Sequence, residues 1–505
     1  MSDRRRFYIT TAIDYANGAP HMGHAIEKIG ADAMARYRRL RGDAVHFLMG
    51  MDEHGLKVLQ SADAAGVSPQ EWVDDVSTQF TRAWERLGIS YDDFVRTTQP
   101  RHRPAVEEMI RRISDAGDLY VGRYEGYYCV GCEAFKRDDE LVREQGAAPR
   151  CPIHPSREVT WTEEENWFFR LSRYQDRLLK LLDERPGFIQ PEARLNEVRN
   201  VIEGGLEDIS VSRSRLPWGI PWPGDEAHTV YVWLDALTNY LSAIGFPDDR
   251  YHQHWPPDYH VIGKDITRFH CVYWPAFLMS ADVQLPKSVW AHGFVTIGGG
   301  KMSKSEGVRV ELDDAIDRHG PDALRFFLLR EIPWNGDGEF SYERFDERYA
   351  AELADNFGNL ASRSIAMIER YRGGVVPAGG RTSLDEDIAA ALVRYRGAMD
   401  EQLLHQGLGA ALTLSSRANQ YVDARAPWAQ ARDPAQAGEL DMTLAALARC
   451  VAALATLLQP FMPGKMADVA GRLGLEAVTP LDEVVTLDMT GHIVHRGEIL
   501  FPKVR

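Results

Sequence analysis

Two histidines and a glycine stand together near the start of the chain, in the sequence His21-Met22-Gly23-His24. On a helical turn, side chains three positions apart point the same way, so both imidazoles could donate hydrogen bonds to phosphate oxygens. Gly23 would let a base or ribose approach the backbone, and a helix start supplies unpaired N–H groups for an anion. The motif indicates nucleotide or phosphate chemistry, although a capped helix start with two surface histidines has the same pattern.

A second basic motif, Lys301-Met302-Ser303-Lys304-Ser305, directly follows three glycines. Glycines leave the backbone conformationally permissive, and the two lysines carry positive charge that suits a polyphosphate. The motif is not a P-loop, because no Gly-Lys pair in the chain is followed by Ser or Thr. By composition alone, an exposed basic loop would look the same.

Three of the five cysteines cluster with one histidine in the pairs Cys129-x-x-Cys132 and Cys151-x-x-His154. Each pair has the spacing that lets two ligands converge on one tetrahedral zinc ion. Four protein ligands leave no open position, so the pattern predicts one structural Zn²⁺ that fixes the fold of a segment poor in apolar residues. Reduced cysteines beside a surface histidine are the alternative.

The elements around these motifs follow an α/β pattern in the first part of the chain. A β-rich run at residues 7–13 precedes an apolar helical face, and residues 45–49 have the character of a second strand. This strand–helix–strand order predicts a parallel sheet. The pattern gives way to aromatic, Pro, Gly and Cys residues from about 116 to 224, and strand patterns resume at 229–234, 259–262 and 289–297.

The last part of the chain is helical by its apolar periodicity. Apolar residues recur every three or four positions along two segments, at Ile388, Leu392, Tyr395, Met399 and Leu403 and at Leu440, Leu444, Leu447, Val451, Leu454 and Leu458. Each set forms one apolar helix face, which predicts a helical bundle. Residues 370–381, rich in Gly and Pro, are predicted to connect two helices.

Composition narrows the class of protein. The chain has 505 residues, of which 44% are hydrophobic and 26% charged, so it can bury several cores without disulfides. The net charge of −16 excludes nucleic-acid binding by bulk charge and requires a local basic surface for any polyanion. The longest apolar stretch, 450–458, is too short to cross a bilayer, and the arginines at 4–6 lead to no cleavage site. A cytoplasmic protein without membrane contact is expected.

In this order, the histidine and lysine motifs resemble the two signature elements of class I aminoacyl-tRNA synthetases. Further segments are similar to the methionyl-tRNA synthetase family, namely Thr11-Ala12-Ile13, Met51-Asp52-Glu53-His54-Gly55, Tyr231-Val232-Trp233-Leu234-Asp235-Ala236, Gly263-Lys264-Asp265-Ile266 and Phe269-His270. The leucine, isoleucine and valine enzymes of this class are expected to carry a much larger insertion. A cysteinyl enzyme would use zinc in its substrate site rather than in an insertion.

The resemblance implies a fold, five regions and a substrate site. The fold is α/β, a Rossmann-like parallel sheet split by a zinc-knuckle insertion and followed by an all-α bundle. The regions are the first half of the catalytic domain (1–115), the inserted connective domain (116–225), the second half of the catalytic domain (226–295), the lysine-motif loop with a stem-contact region (296–345) and a helical anticodon-binding domain (346–505). The implied methionine pocket consists of Ile13, Trp233, Ala236, Tyr240 and His270.

The other implied roles concern the ammonium, ATP and zinc. Asp52 would hold the substrate ammonium, while Gly263 and Asp265 would face the adenosine ribose and Gly23 the nucleotide. His21 and His24 would contact the developing phosphate charge, and Lys304, assisted by Lys301, would close over the terminal phosphates of ATP bound with Mg²⁺. The Cys129, Cys132, Cys151 and His154 pattern matches the family's variants with one Cys-x-x-Cys and one Cys-x-x-His.

The thioether of methionine suits an aromatic pocket, because sulfur–aromatic contacts are worth ~0.3–1.5 kcal/mol each. One polar donor, Tyr240 or His270, could then select sulfur over a plain aliphatic side chain. Without the resemblance, Trp233 and Tyr240 would be interpreted as core residues, since they lie in an apolar run.

The resemblance also implies recognition of tRNA(Met), including the initiator tRNA, by the helical part. Asn359, Arg363 and Trp428 match positions that read the CAU anticodon in this family. The family usually has Asn four residues before Asn359, and this chain has Asp355 there, which puts that contact in doubt. No appended module is seen after the bundle, so a monomer is expected.

The expected activity is formation of methionyl-adenylate and pyrophosphate from methionine and ATP, followed by transfer of the methionyl group to the 3′ end of tRNA. Three alternatives remain at this point. They are a class I synthetase for another amino acid, a small nucleotidylyltransferase with a similar histidine motif, and a tRNA-binding paralogue without catalytic activity.

Overall fold

The computed structural model describes residues 4–129, 134–136, 138–143, 148–152, 154–214, 216–297, 300–301 and 310–503. The first part of the chain forms β1 (Arg6–Thr11), β2 (Asp14–Tyr15), α1 (Met22–Leu40), β3 (Ala44–Asp52), α2 (Leu56–Ala65), α3 (Pro69–Arg86), β4 (Asp93–Arg96) and α4 (Arg103–Asp115). The predicted order of strand, helix and strand is therefore present. Gly42, which follows the C-cap residue of α1, has φ +85°, a conformation that glycine adopts at no steric cost.

The second part contains two helices and several strands, most of the strands being short. They are β5 (Leu119–Cys129), β6 (Ala134–Lys136), β7 (Arg150–Cys151), β8 (His154–Glu158), β9 (Thr160–Phe169), α5 (Gln175–Glu184), β10 (Ile189–Gln190), α6 (Glu192–Glu203), β11 (Ile209–Ser210), β12 (Ser212–Ser214), β13 (Pro221–Trp222) and β14 (Asp225–Val230). The long antiparallel pair β5–β9 organises this part.

The third and fourth parts of the chain add strands to the main sheet and connect it to the helical bundle. They contain α7 (Val232–Leu237), α8 (Asn239–Ser242), β15 (Tyr259–Gly263), a π-helical turn (Phe269–Tyr273), α9 (Trp274–Ser280), β16 (Val289–His292), β17 (Val295–Ile297), β18 (Gly300–Lys301), α10 (Leu312–His319), α11 (Pro321–Glu331), β19 (Gly338–Glu339) and α12 (Tyr342–Arg348). The bundle contains a π-helical segment (Tyr349–Gly358), α13 (Asn359–Arg372), α14 (Ser383–Asp400), α15 (Leu404–Arg425), α16 (Pro427–Gln430), α17 (Ala437–Leu458) and α18 (Pro463–Arg472).

The central sheet has seven strands in the order β10-β16-β15-β1-β3, with β2 and β4 both paired to β3. Every pair in this sheet is parallel, as the α/β pattern predicts. The carboxyl ends of β1, β3, β15 and β16 therefore meet at one edge of the sheet. The loops that follow these strands carry most of the predicted substrate residues, as expected for an open α/β sheet.

Two findings differ from the sequence pattern. The apolar run at 229–234 ends β14 at Val230 and then begins α7 at Val232, so its second half is helical rather than extended. Periodicity alone does not distinguish a buried strand from a buried helix in so short a run. In addition, β10 lies within the predicted insertion, 116–225, but pairs with β16 as an edge strand of the main sheet.

The bundle and the catalytic sheet share one core. A single cluster of buried apolar side chains runs from the face of the sheet covered by α1 into α11, α13–α15, α17 and α18. A second cluster covers the other face of the sheet, with α4, α5 and α7–α9. One helical segment, Pro434–Leu458, is apolar and long enough to cross a membrane, but 89% of its most apolar window is buried inside the protein. This segment is the central helix of the bundle.

Candidate active site

The two histidines of the first motif form the N-terminal cap of α1. The Nδ1 atom of His21 accepts from the Gly23 amide at 3.1 Å, and Nδ1 of His24 accepts from the His21 amide at 3.3 Å. The rings stack with centroids 3.8 Å apart. Because both Nδ1 atoms accept, each neutral imidazole carries its proton on Nε2. A Cβ at Gly23 would lie 3.0 Å from Cε1 of His21, so a side chain there would press on this pair.

The predicted ribose residues follow β15 at the same edge of the sheet. Gly263 ends the strand, and a Cβ at that position would lie 2.7 Å from Oδ1 of Asp265. The next residue, Lys264, is anchored away from this point by an ion pair with Asp337 at 2.6 Å. The backbone at Gly263 thus leaves space beside the Asp265 carboxylate that a side chain would occupy.

The Tyr240 hydroxyl lies 2.7 Å from Nε2 of His270, and Nδ1 of His270 lies 3.2 Å from the Ile266 carbonyl oxygen. The carbonyl can only accept, so His270 donates from Nδ1 and Tyr240 donates to Nε2. Burial lowers the pKa of His270 to about 4 and raises the pKa of Tyr240 well above its usual value. The pair is therefore neutral at pH 7, and in this arrangement both of its polar hydrogens have protein acceptors.

The remaining predicted pocket residues lie on α7 and at the carboxyl ends of β1 and β3. Trp233 and Ala236 lie on α7, and the Trp233 ring stacks on Phe269 with centroids 3.6 Å apart and planes at 6°. Ile13 follows β1, and its Cγ2 would be only 2.9 Å from a Cβ at Gly50. Asp52 ends β3, where it is paired in register with Tyr15, and its side chain is buried.

Sequence reasoning missed a buried charged network beside the histidine motif. The ammonium group of Lys28, fully buried on α1, lies 2.8 Å from Asp14 and 2.6 Å from Glu27 and donates to the Ala12 carbonyl at 2.8 Å. The second oxygen of Glu27 lies 3.2 Å from Nε2 of His292. Burial raises the pKa of Asp14 to about 7, against the opposing effect of Lys28. The only sequence signal was a Glu-Lys pair on an otherwise apolar helix face.

The predicted zinc ligands are partly within the described residues. Cys129 and Cys151 are both fully buried in one small cluster with Val159, and Cys151 pairs with His154 across the β7–β8 hairpin. Cys132 lies outside the described residues. Among the residues that the structure does describe, no group of three or more side chains that could bind a metal is present. The burial of two cysteines together fits the donor set, and the zinc site stays a prediction.

The lysine motif lies mostly outside the described residues, including Lys304. Lys301 belongs to β18, which pairs with β17. Strand β17 begins shortly after β16 ends. The hairpin therefore starts from the carboxyl edge of the sheet, the edge at which His21 and Gly263 also lie.

The predicted anticodon residues come together on one surface of the bundle. The guanidinium carbon of Arg363 on α13 lies 5.9 Å from the centroid of the Trp428 ring. Its Nη2 lies 3.4 Å from Oδ1 of Asp423 on α15. Trp428 is 40% exposed, and Asn359 is exposed one helical turn before Arg363. Asp355 forms an ion pair with Lys503 at 2.7 Å, so its negative charge is balanced.

Comparisons with known proteins define first the class and then the family. Residues 7–158 and 139–365 match the family "tRNA synthetases class I (M)", and residues 373–505 match "Anticodon binding domain of methionyl tRNA ligase". The fold is thus that of a class I tRNA synthetase. A methionine–tRNA ligase of Brucella suis is 47% identical over 91% of this chain and 90% of its own length. One of Caldanaerobacter subterraneus is 42% identical over 99% of this chain and 79% of its own length.

Solved structures agree with these relatives over the whole chain. The methionyl-tRNA synthetase of Mycobacterium tuberculosis in complex with methionyl-adenylate matches with a TM-score of 0.95 at 42% identity, covering 99% of this chain and 100% of that one. Its apo form matches with a TM-score of 0.88. The chain belongs to the methionine–tRNA ligase family.

Proposed function

We propose a set of residue roles by which this chain performs the reaction of a methionine–tRNA ligase. The reaction activates methionine with ATP, releases pyrophosphate, and transfers the methionyl group to the 3′ end of tRNA(Met), including the initiator tRNA. The observation that carries the proposal is the full-length match to a structure that holds methionyl-adenylate, the product of the first step.

In the first step the methionine carboxylate attacks the α-phosphate of ATP in line and pyrophosphate leaves. The nucleophile is already an anion, so the step needs no general base and depends on positioning and charge stabilisation. The Nε2–H groups of His21 and His24 donate to the phosphate as charge develops there. Lys304, assisted by Lys301, binds the β- and γ-phosphates, and the Mg²⁺ that accompanies ATP neutralises part of their charge.

The substrates are held at the carboxyl edge of the sheet. Asp52 binds the methionine ammonium, and Ile13, Trp233, Ala236, Tyr240 and His270 enclose its side chain. Gly23 admits the nucleotide to the start of α1, while Gly263 and Asp265 face the ribose. A neutral, aromatic pocket favours a polarizable thioether over a charged or strongly polar side chain.

The zinc and tRNA sites lie outside the sheet. Zn²⁺, when bound by Cys129, Cys132, Cys151 and His154, supplies a structural cross-link for the insertion.

Trp428 stacks on an unpaired anticodon base, and Asn359 and Arg363 bind base edges. Lys503, which pairs with Asp355, offsets part of the unfavourable effect of that carboxylate near RNA. A role in translation places the chain in the cytoplasm.

The phosphate role of His21 is separable from its role as a helix cap. Serine at an N-cap also accepts a backbone N–H bond, so His21→Ser keeps the cap and loses the Nε2–H donor, whereas His21→Ala loses both. We expect both variants to slow single-turnover formation of methionyl-adenylate about 100- to 1,000-fold, and only His21→Ala to lower the melting temperature. A His21→Ser enzyme with wild-type adenylate formation would contradict the phosphate role.

A further inference from the structure

A fully buried carboxylate, Asp235, lies between two histidines close to the proposed methionine site. Its Oδ2 is 2.7 Å from Nδ1 of His54, and its Oδ1 is 2.7 Å from Nε2 of His102. The other ring nitrogen of His102 lies 2.8 Å from the Ser242 hydroxyl. None of these residues has a role in the proposed reaction.

These hydrogen bonds join three separate elements. Asp235 lies on α7, two residues after Trp233 and one before Ala236. His54 lies in the loop after β3, two residues after Asp52, and His102 precedes α4. The side chain of Asp235 therefore ties the helix that encloses the methionine side chain to the loop that carries the proposed ammonium ligand.

The charges around Asp235 make these bonds strong. Although burial disfavours its ionised form, the two histidines lower the pKa of Asp235 to about 2, so it is a carboxylate at neutral pH. Asp235 in turn raises the pKa of His54 against the effect of burial. The neighbouring Glu53 has its own partner, Arg96, at 2.6 Å, and does not compete for His54.

The loop is rigid on its other side as well. The Trp218 indole N–H donates to the Glu53 carbonyl at 2.6 Å, and the His54 ring packs edge-on against Trp218 with centroids 5.7 Å apart. The Glu53 amide donates to Thr97 at 3.0 Å. With the loop fixed in this way, Asp235 is the link through which α7 takes its position relative to Asp52.

We infer that Asp235, held by His54 and His102, is a positioning residue for methionine. Asp235 sets the distance between the wall of the pocket formed by Trp233 and Ala236 and the carboxylate of Asp52. The inference rests on the proposed function of those three residues. It requires that loss of the His54–Asp235 bond weakens methionine binding while ATP binding, which uses α1 and the end of β15, is unaffected.

Two substitutions at His54 test this by placing a single N–H donor at different positions. An asparagine amide N–H takes nearly the place of the histidine Nδ1–H, so His54→Asn keeps the bond to Asp235, whereas the longer His54→Gln places its amide where Nε2 was. We expect His54→Gln to raise the KM for methionine about tenfold, the scale of one charge-assisted hydrogen bond. His54→Asn should stay within about twofold of wild type, and KM for ATP and kcat should change little in both.

A matched control is His319, whose side chain is 5% exposed and whose Nε2 lies 2.7 Å from Asp346 in the region of α10 and α12. His319→Asn removes that bond and should leave the KM for methionine unchanged. A wild-type KM for methionine in His54→Gln would overturn the inference but leave the proposed function intact. Equal increases in the KM for methionine and in the KM for ATP would have the same consequence. Absence of methionine-dependent exchange in the wild type would overturn the proposed function and the inference together.

Discussion

Lys28 is the most completely enclosed charge beside the histidine motif. Its ammonium group is held by two carboxylates and one carbonyl, all within 2.8 Å. Removing one member of a buried ion cluster leaves the others uncompensated, so we expect Lys28→Met to lower the free energy of unfolding by about 3–5 kcal/mol. Urea denaturation followed by tryptophan fluorescence measures the change.

Lys180→Met is the control for this prediction. Lys180 is exposed and its ammonium lies 3.6 Å from Glu184 in a surface pair, which should be worth less than about 1 kcal/mol. Equal unfolding midpoints for the two variants would contradict the importance assigned to the buried cluster.

His270 gives the protein a defined pH dependence of stability. Burial lowers its pKa from 6.5 to about 4, so between these values the unfolded chain binds more protons than the folded one. The stability contributed by His270 is therefore complete above pH 6.5 and is lost as the pH falls toward 4. We expect the loss of unfolding free energy between pH 7 and pH 5 to be smaller in His270→Gln than in wild type. An equal loss in both would show that His270 does not titrate in this way.

The sequence indicated single residues better than it indicated their partners. His21, Gly23 and His24 could be expected to lie together because the whole motif spans one helical turn. Asp235 and His102 are separated by 133 positions, and no local pattern connects them. Buried networks depend on tertiary packing, which explains why the Lys28 and Asp235 clusters were not predicted.

At the scale of elements, α11 connects the catalytic part to the bundle through a buried arginine. Arg325 is fully buried and donates to Asp32 on α1 at 2.7 Å, to the Pro460 carbonyl at 2.8 Å and to the Phe461 carbonyl at 3.1 Å. The helix thus bonds both to α1 and to the segment between α17 and α18.

We expect Arg325→Met to lower the free energy of unfolding by about 3–5 kcal/mol, because Asp32 keeps only Arg36 as a cation and the carbonyls of Leu87, Pro460 and Phe461 lose a donor. Arg103→Met is the comparison, since Arg103 forms an exposed pair with Glu107 on α4 and should change stability by less than about 1 kcal/mol. Guanidinium denaturation of both variants checks this, and an unchanged midpoint for Arg325→Met would show that the contact is dispensable.

Elements with a sustained pattern were predictable, and the shortest strands were not. The apolar faces of α14 and α17 persist over several turns, so their period is unambiguous. The two residues of β10 carry no period at all, and their place in the main sheet depends on pairing with β16. Likewise, the run at 229–234 is apolar throughout, which suits both the end of β14 and the start of α7.

At the scale of the whole molecule, the net charge of −16 means that tRNA must be recognised on restricted surfaces. The surface formed by Asn359, Arg363 and Trp428 joins a cation, an amide and an exposed aromatic ring. It lies on the bundle, in the part of the chain after the catalytic sheet. Binding of the anticodon and activation of methionine should therefore be separable by mutation.

Trp428→Ala tests this separation. Loss of one stacked base should raise the KM for tRNA(Met) about 10- to 100-fold, corresponding to about 1–3 kcal/mol, while pyrophosphate exchange without tRNA keeps its wild-type rate. Trp161→Ala, at a 57% exposed tryptophan on β9 of the insertion, serves as the matched control. An unchanged KM for tRNA in Trp428→Ala would exclude the stacking role.

The most direct measurement for the whole molecule is ATP–pyrophosphate exchange with each of the twenty amino acids in turn, using folded, zinc-replete enzyme and Lys304→Ala alongside. We predict exchange with methionine alone, and its loss in Lys304→Ala. Exchange with a different amino acid would contradict the methionine pocket while keeping the class of enzyme, and absence of exchange with every amino acid would contradict the catalytic function itself.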